Sequence, residues 1–427
     1  MKKDVLKQII ADFHRTTLPQ FTPRHLDVPL GTGKIITIVG VRRCGKTYYL
    51  YQLLKRLLND GLEKHHVVYI NFEDERLDFK KEELDLILHA YRELYPEVSL
   101  EKVHFFFDEF QNIDGWDQFV RRIHDTISKN IYITGSNSRL LSKEISTSLR
   151  GRALPYELYP LSFREYLEFN CIAVNDFSSA GRAAVHIGFH RFLKHGGFPE
   201  LVGLPENLYE KVLQEYYNTM LFKDIVERYE IKQVHVLKYF LKRLFASISK
   251  DVSVNKIYNE LQSQGIKAGK NLLYEFMDAV ENIYLMSILS KFNPSVVKQE
   301  MSEKKIYCID NGLINAVTFR FSKDTGILLE NMIAIELLKQ GKQTFFYREK
   351  VECDFVVIEK NEVRTAIQVS LSIGDPDTRL REIRGLTAAC KRFGLTEGII
   401  ITDDEEETFM ENEIEIKVIP AFAYCLT

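Results

Sequence analysis

One eight-residue segment constrains this chain more than any other. Residues 40–47, GVRRCGKT, form a complete G-x-x-x-x-G-K-[ST] pattern between an apolar run at 34–39 and an amphipathic helical segment, Thr47 to Leu58. In phosphate-binding loops, glycines turn the backbone so that amide groups face phosphate oxygens, and the following helix adds the positive end of its dipole. The segment therefore predicts a nucleotide site in an α/β domain.

The loop residues have separate expected roles. Lys46 is expected to reach the β and γ phosphates of ATP, and the Thr47 hydroxyl is expected to ligate Mg²⁺. The alternative, a glycine turn with a surface lysine, does not account for the flanking strand and helix. The expected nucleotide contacts are Gly40, Val41, Arg42, Arg43, Cys44, Gly45, Lys46, Thr47 and Tyr48.

A second acidic motif follows a strand-like run. Residues 103–109, VHFFFDE, end in Asp108 and Glu109. Buried acids at the end of such a strand are costly unless they serve a cation. We expect Asp108 to hold Mg²⁺ through water and Glu109 to orient or deprotonate the attacking water. The alternative is two solvated acids at a strand end.

Further polar residues are weaker candidates. Ser136 or Asn137, after the run at 131–136, is placed to hydrogen-bond the water or the γ-phosphate, although a plain loop cap competes equally. Arg150 and Arg152 precede the next strand. Either would act as an arginine finger if it reached a neighbouring subunit's γ-phosphate, and an ordinary ion pair is the alternative.

The first part of the chain alternates strands and helices. After an amphipathic helix at 2–13, strand-like runs occur at 34–39, 67–72, 103–108, 131–136 and 154–159. This alternation predicts a parallel sheet covered by helices on both faces, and hence an α/β P-loop domain over residues 1–165.

Three further segments are expected. A helical region, 166–249, is broken by the glycines and proline at 195–199. Residues 250–318 have the outline of a winged helix, with helices at 254–262 and 270–283 followed by strands at 284–292 and 305–309. Residues 319–427 mix helices and strands and are interpreted as a second α/β domain, with a solvated acidic loop at 403–407.

The winged-helix outline does not decide between DNA and protein as its partner. In the helix at 270–283, Leu273, Phe276, Met277, Val280 and Ile283 share one face, which is core. Between residues 241 and 275, the sequence has six basic residues and three acidic residues. This local excess supports phosphate contacts but is small for a DNA-reading domain.

Taken together, the motifs resemble one known family. The quoted motifs are GVRRCGKT, FFFDEFQNIDGWDQFVRRI, YITGSNSRLL, LRGRALPYELYPLSFREYL, GGFPE, KKIYCIDNGL and ECDFVV. They look like the prokaryotic AAA-type P-loop ATPases that carry a C-terminal winged-helix and restriction-nuclease-like region. The resemblance implies ATP and Mg²⁺ binding, with Asp108 and Glu109 as the acidic pair, a polar sensor near Ser136 or Asn137, and arginine action around Arg150 or Arg152.

The last segment resembles the restriction-endonuclease fold, which implies a helix glutamate, a strand acid and an E-x-K sequence on the next strand. Glu330 and Asp354 occupy the first two positions, but the third reads Gln368-Val369-Ser370. Ser370 carries no positive charge to stabilise an attacking hydroxide. We expect a degenerate, catalytically inactive nuclease fold.

Composition sets limits on these expectations. The chain has 427 residues, a net charge of -3 and six cysteines, with no C-x-x-C pair. No signal peptide or membrane-spanning run is evident, so we expect a cytoplasmic protein without a membrane partner. The expected function is a Mg²⁺-dependent ATPase acting as a nucleotide-driven switch on DNA. The expected partners are ATP, DNA through the winged helix, and further copies of the chain in a homo-oligomer. The alternatives are an ATP-dependent protein-assembly scaffold and, least favoured, a nuclease.

Overall fold

The computed structural model describes residues 2–135, 149–176, 178–318 and 325–426. The chain divides into two compact units, Met1–Tyr159 and Pro160–Thr427. The first unit ends near the expected boundary at 165. The three later segments of the expected division pack together in the second unit.

The first unit is built around a five-stranded parallel sheet of order β2-β3-β4-β1-β5. Its strands are β1 (Ile35–Val39), β2 (Val67–Asn71), β3 (His104–Asp108), β4 (Ile131–Gly135) and β5 (Ala153–Glu157). Phe105, Phe106 and Phe107 occupy successive positions of β3 and are all buried. Burial on both faces is what a parallel sheet covered on both sides requires, so the predicted parallel α/β sheet is confirmed.

Four α-helices are described in the first unit; the first precedes β1, and the other three connect successive strands from β1 to β4. They are α1 (Lys2–Arg15), α2 (Lys46–Asn59), α3 (Leu86–Leu94) and α4 (Trp116–Thr126). The predicted N-terminal helix is confirmed as α1, which buries Leu6 and Ile10 and packs against α3 and β2.

The strand order gathers the polar motifs at one edge of this sheet. All five strands run in the same direction, so their carboxyl ends meet at one edge. The register pairs Val39 of β1 with Gly135 of β4, and Asn71 of β2 with Asp108 of β3. The P-loop after β1 and the acids after β3 therefore lie at the same edge, with the end of β4 between them.

The second unit begins with the predicted helical stretch. Its described helices are α5 (Phe163–Phe169), α6 (Ser179–His195), α7 (Tyr209–Thr219) continued by a π-helix (Met220–Glu227), α8 (Val234–Ala246), α9 (Val254–Ser263), α10 (Lys270–Asn282), α11 (Val296–Glu300), α12 (Asn311–Val317), α13 (Thr325–Lys339), α14 (Pro376–Phe393) and α15 (Ala421–Tyr424). The break predicted at 195–199 is confirmed, because α6 ends at His195.

The buried carboxylate of Asp310 explains why two sequence motifs contain glycine: GGFPE at 196–200 and IDNG at 309–312. Asp310 accepts hydrogen bonds from the backbone N–H groups of Gly197 (2.7 Å) and Gly312 (2.8 Å), and so joins the break after α6 to the start of α12. A Cβ on Gly196, whose φ is 77°, would lie 2.0 Å from Asp310 Oδ1. A Cβ on Gly312 would lie 2.1 Å from the carbonyl oxygen of His195. Both positions therefore require glycine.

The segment at 250–318 contains the predicted helices and strands. The strands β6 (Asp251–Val252), β7 (Met286–Ser290) and β8 (Lys304–Cys308) form an antiparallel sheet of order β6-β8-β7. The predicted core face of α10 is confirmed, since Leu273, Phe276, Met277 and Val280 are all buried.

The last segment forms a six-stranded mixed sheet of order β13-β14-β12-β11-β10-β9. Its strands are β9 (Gln343–Arg348), β10 (Glu352–Glu359), β11 (Glu362–Val369), β12 (Glu397–Thr402), β13 (Glu407–Glu411) and β14 (Ile414–Pro420). Sequence analysis did not predict β13 or β14, although alternate residues of β14 are buried. The predicted acidic loop is confirmed for residues 403–406, and Glu407 begins β13. Only Asp404 and Glu406 are exposed as expected, whereas Asp403 and Glu405 are half-buried. Among the described residues, no helix is long and apolar enough to cross a membrane.

Candidate nucleotide site

The loop after β1 is a tight turn that needs its glycines. A Cβ on Gly40 would lie 2.0 Å from the carbonyl oxygen of Leu158, a backbone atom that cannot move cheaply. Arg43 and Gly45 have φ angles of 68° and 99°. Helix α2 begins at Lys46, so its first-turn N–H groups have no partners within the helix. The loop has the backbone geometry of an anion-binding turn at a helix N-terminus.

The Lys46 side chain is buried and folded back over the loop. Its Nζ donates hydrogen bonds to the carbonyl oxygens of Gly40 and Val41, each at 3.2 Å, and lies 3.6 Å from Glu109 Oε1. Only 4% of Lys46 is exposed. The structure therefore brings together the predicted phosphate-binding lysine and the predicted general base.

The Asp108 carboxylate is surrounded by hydroxyl groups. Its Oδ2 accepts hydrogen bonds from Thr47 (2.8 Å) and Tyr69 (3.0 Å), and its Oδ1 accepts one from Thr134. Burial raises the pKa of Asp108, and the hydrogen bonds from these three hydroxyls oppose that rise. The predicted pair Thr47 and Asp108 is in direct contact, whereas Tyr69 and Thr134 were not identified from the sequence.

Glu109 is held in a left-handed conformation, with φ 52°. Its backbone N–H donates to Thr134 Oγ1 at 2.9 Å, and its Oε2 accepts from Gln111 Nε2 at 2.5 Å. An unusual backbone angle costs energy and persists only where surrounding contacts impose it. Thr134 therefore contacts both acids, through the Asp108 carboxylate and through the Glu109 backbone.

The remaining loop side chains divide into buried and exposed. Val41 and Cys44 are buried, and burial raises the pKa of the Cys44 thiol, which keeps it uncharged. Arg42 Nη1 lies 3.1 Å from Glu73 Oε1, and Tyr48 is half exposed. Val41 and Cys44 can therefore offer only backbone groups to a ligand that approaches from outside the loop.

A buried arginine supports the loop from an upstream segment. Arg24 Nη1 donates to the carbonyl oxygen of Cys44 at 2.7 Å, and Nη2 donates to that of Tyr159 at 2.8 Å. Arg24 belongs to no helix or strand. Local pattern gave no signal for it, because its role depends on contacts with residues distant in sequence.

The later polar candidates are placed differently. Ser136 and Asn137 lie outside the described residues. Arg150 is exposed with φ 48°, and Arg152 makes a bidentate ion pair with Asp125, at 2.7 Å and 3.0 Å.

Both arginines lie at the opposite edge of the sheet from the P-loop. The backbone N–H of Ile35, the first residue of β1, donates to the carbonyl oxygen of Arg152. The length of a five-residue strand, about 15 Å, therefore separates them from the loop of their own chain.

The second unit gathers another polar set. Glu330 of α13, Asp354 of β10 and Gln368 of β11 line one cavity of about 570 Å³. The three positions singled out from the sequence are therefore brought together. Ser370 does not line this cavity, and its hydroxyl donates to the carbonyl oxygen of Ser372 at 3.0 Å. Lys305, which was not identified from the sequence, contacts both Glu330 and Asp354 at 3.2 Å.

Three family models match successive parts of the chain. Residues 32–167 match the AAA domain, and residues 187–324 and 325–424 match the domains of unknown function DUF8612 and DUF4143. The chain therefore carries an AAA-type nucleotide-binding domain, and the predicted P-loop fold of this part is confirmed.

One curated relative aligns along the whole chain. It is the uncharacterized protein MJ1544 of Methanocaldococcus jannaschii, which is 35% identical over 445 residues covering 100% of this chain and 96% of MJ1544. The chain belongs to the MJ1544 family. An uncharacterized protein of Haemophilus influenzae is 30% identical over 343 residues, covering 80% of this chain and 84% of that protein. The names of these two proteins state no activity.

Solved structures give weaker likenesses to this MJ1544 family member. The Aeropyrum pernix ORC1 protein in complex with DNA has 12% identity and a TM-score of 0.30, over 74% of this chain and 90% of that chain. Drosophila ORC bound to GC-rich DNA and Cdc6 has 11% identity and a TM-score of 0.21, over 73% and 90%. Likenesses at these TM-scores carry no argument about fold or function.

Proposed function

We propose that the chain is a Mg²⁺-dependent ATPase that acts as a nucleotide-driven switch. The observation that carries this proposal is the convergence of Lys46, Thr47, Asp108 and Glu109 at one edge of the first sheet. A phosphate-binding turn alone would serve any nucleotide-binding protein. A carboxylate in contact with the phosphate-binding lysine adds a group that can activate water.

The residues at this edge fit a magnesium ion. Mg²⁺ in phosphate sites is bound by one or two protein oxygens together with substrate phosphates and water. Thr47 Oγ1 and the Asp108 carboxylate are in contact, and three hydroxyl donors favour the ionised form of this buried acid. Thr47 would bind the ion directly and Asp108 through water. The bound ion would neutralise charge on the β- and γ-phosphates.

The contact between Lys46 and Glu109 supports a switch. In the described conformation the Lys46 ammonium is satisfied by two loop carbonyls and by Glu109. A γ-phosphate bound in the loop would compete with Glu109 for this ammonium, because both are anions. Nucleotide binding would therefore release the Glu109 carboxylate from Lys46, so that it could act on water. The same movement would alter the hydrogen bond that Glu109 accepts from Gln111, and with it the conformation of the chain at Gln111.

Steady-state phosphate release tests the enzyme proposal. Lys46→Ala and Glu109→Gln should each abolish most of the activity, because the first removes the phosphate contact and the second the general base. Glu97→Gln is a matched control, since it makes the same chemical change at an exposed position. Unchanged rates in both site variants would refute the proposal.

For the second unit, we propose a winged helix at 250–318 as the surface that the switch presents to a partner, with DNA as the candidate to test. Lys267, Lys270, Asn271 and Tyr274 are exposed on and before α10, opposite its buried face. Each phosphate contact through a lysine contributes to the salt dependence of DNA binding.

Fluorescence anisotropy with duplex DNA at several salt concentrations measures that dependence. Lys270→Glu should weaken binding and reduce the salt slope, whereas the same change at exposed Lys360, in the β10–β11 hairpin, should not. No binding by the wild type at low salt, with or without ATP, would leave a protein partner as the alternative.

We also propose that the six-stranded domain is a degenerate nuclease-like fold. Glu330, Asp354 and Gln368 share one cavity, as the resemblance implied, while Ser370 lies outside its lining.

An arginine finger would have to act between subunits, since Arg150 and Arg152 lie at the edge of the sheet remote from their own P-loop. Of the two, Arg150 is the better candidate, because Asp125 already binds Arg152.

A further inference from the structure

A buried lysine stands among the acids of the second unit. Lys305, on β8, is only 2% exposed. Its Nζ lies 2.7 Å from Glu352 Oε1, and 3.2 Å from both Glu330 Oε1 and Asp354 Oδ1. An ammonium group has three N–H donors, and here three carboxylate oxygens face it. No donor of Lys305 remains for a water molecule or a phosphate.

The acids are also engaged on their other sides. Asp354 Oδ2 accepts the backbone N–H of Val369 at 3.0 Å. The Gln368 side chain accepts the backbone N–H of Asp354 at 3.3 Å and donates to Glu382 Oε2 at 2.6 Å. The oxygen that Gln368 could offer to a metal is therefore already an acceptor. Both Asp354 and Gln368 are therefore held by other groups of the protein.

Lys305 remains charged in this environment. Burial alone would lower its pKa, but the carboxylates of Asp354, Glu330 and Glu352 outweigh burial and raise it. The network therefore contains a permanent cation, held by the three carboxylate oxygens that face it.

A divalent cation does not fit this arrangement. A nuclease fold implies Mg²⁺ held by the helix glutamate and the strand acid, at about 2.0–2.1 Å from their oxygens. The ammonium of Lys305 stands at hydrogen-bond distance from those same oxygens of Glu330 and Asp354. Among the described residues, no group of three or more His, Cys, Asp or Glu side chains is arranged to hold a metal ion.

We propose that Lys305 is a tethered cation that takes the position of the metal ion in the nuclease-like site. The inference rests on the proposed nuclease-like fold and is independent of ATP hydrolysis. Lys305 belongs to the three-stranded sheet, Glu330 to α13, and Glu352 and Asp354 to the six-stranded sheet. Because the ammonium is part of the chain, it holds these three elements together permanently. A diffusible metal ion would hold them together only while it was bound.

Removing the tethered cation should create a metal site. Lys305→Ala leaves the carboxylates of Glu330, Glu352 and Asp354 without the cation that they share. We expect a lower Tm than the wild type, a partial recovery of Tm when Mn²⁺ is added, and one additional Mn²⁺ bound per chain by electron paramagnetic resonance. Lys304→Ala is the matched control, because Lys304 is on the same strand but contacts exposed Glu300. All measurements use the full chain without nucleotide.

The wild type provides a second test, which does not depend on the folding of Lys305→Ala. Wild type and Asp354→Asn should bind the same number of Mn²⁺ ions, and neither should cleave DNA with Mg²⁺. An additional Mn²⁺ in the wild type that is lost in Asp354→Asn, or Mg²⁺-dependent cleavage lost in that variant, would overturn the inference. Failure of the ATPase proposal would appear only in phosphate release, so the two outcomes are distinguishable.

Discussion

Replacing Thr134 by valine tests how the nucleotide site is assembled. Thr134 is 1% exposed, and its hydroxyl has two roles. It donates to the Asp108 carboxylate and accepts the backbone N–H of Glu109 at 2.9 Å. Valine has nearly the same shape but no hydroxyl, so Thr134→Val removes both hydrogen bonds with little change in packing.

The expected cost follows from these two contacts. A hydrogen bond to a charged group contributes about 1.5–3 kcal/mol, and leaving a buried donor without a partner costs about 1–3 kcal/mol. We therefore expect the free energy of unfolding of the first unit to fall by about 3 kcal/mol or more. The Glu109 carboxylate would also be less precisely positioned. Since general bases contribute about 10²–10⁴-fold, we expect kcat for ATP hydrolysis to fall at least about 10-fold.

Two assays measure these effects. The chain has a single tryptophan, Trp116, which is buried in the first unit with its ring centroid 6.0 Å from that of Phe110. Its fluorescence during urea denaturation reports the unfolding of this unit, and phosphate release reports kcat. Thr134→Ser is the matched control, because it keeps the hydroxyl and loses only a methyl group.

Two results would refute this reasoning. Wild-type stability and kcat in Thr134→Val would show that the hydroxyl has neither role. Greater damage in Thr134→Ser than in Thr134→Val would show that methyl packing, and not the hydroxyl, is what matters at this position. The expected order is wild type, then serine, then valine, in both assays.

Three further predictions concern residues whose contacts stabilise the two units, Arg24, Gly312 and Asp310. Arg24→Ala leaves two carbonyl oxygens without their donor and should raise the Kd for ATP about tenfold by Trp116 fluorescence, whereas Arg76→Ala, at a surface ion pair with Asp74 outside the loop, should change it little. Gly312→Ala places a Cβ against a backbone carbonyl and should lower the Tm of the second unit by circular dichroism; an unchanged Tm would contradict the close approach. Burial raises the pKa of Asp310 from 3.8 to about 6, so the folded chain keeps a proton there that the unfolded chain loses first. The stability contributed by that proton is complete below about pH 4 and falls by up to about 3 kcal/mol as the pH rises past 6. In urea denaturation the wild type should lose this amount relative to Asp310→Asn between those pH values, and parallel pH profiles would contradict the assignment.

Much of the nucleotide site was predictable because its signals are local. The glycines and Lys46 of the loop, and the acids at the end of β3, follow from short motifs next to an apolar strand. Tyr69, Thr134 and Arg24 were missed. Each acts through a hydrogen bond to a residue at least twenty positions away in the sequence, and such a contact leaves no local pattern.

In the second unit, too, local sequence predicted one part of the polar site and the tertiary structure supplied the other. The sequence lacks a lysine at 370, two residues after Gln368, and this absence predicted a degenerate nuclease site. The tertiary structure supplies a lysine from another sheet, since β8 brings Lys305 against Glu330 and Asp354. Local sequence cannot reveal this, because sheet packing decides which distant side chains share a buried space.

By itself, therefore, the sequence determined the P-loop, its acidic partner and the alternation of strands and helices, because each depends on neighbouring residues. Only the tertiary structure decided the strand order that places Thr134 between Asp108 and Glu109, and the packing that encloses Lys305 among carboxylates. Both arrangements are consequences of burial. A charged group removed from water must find its partners wherever the fold brings them.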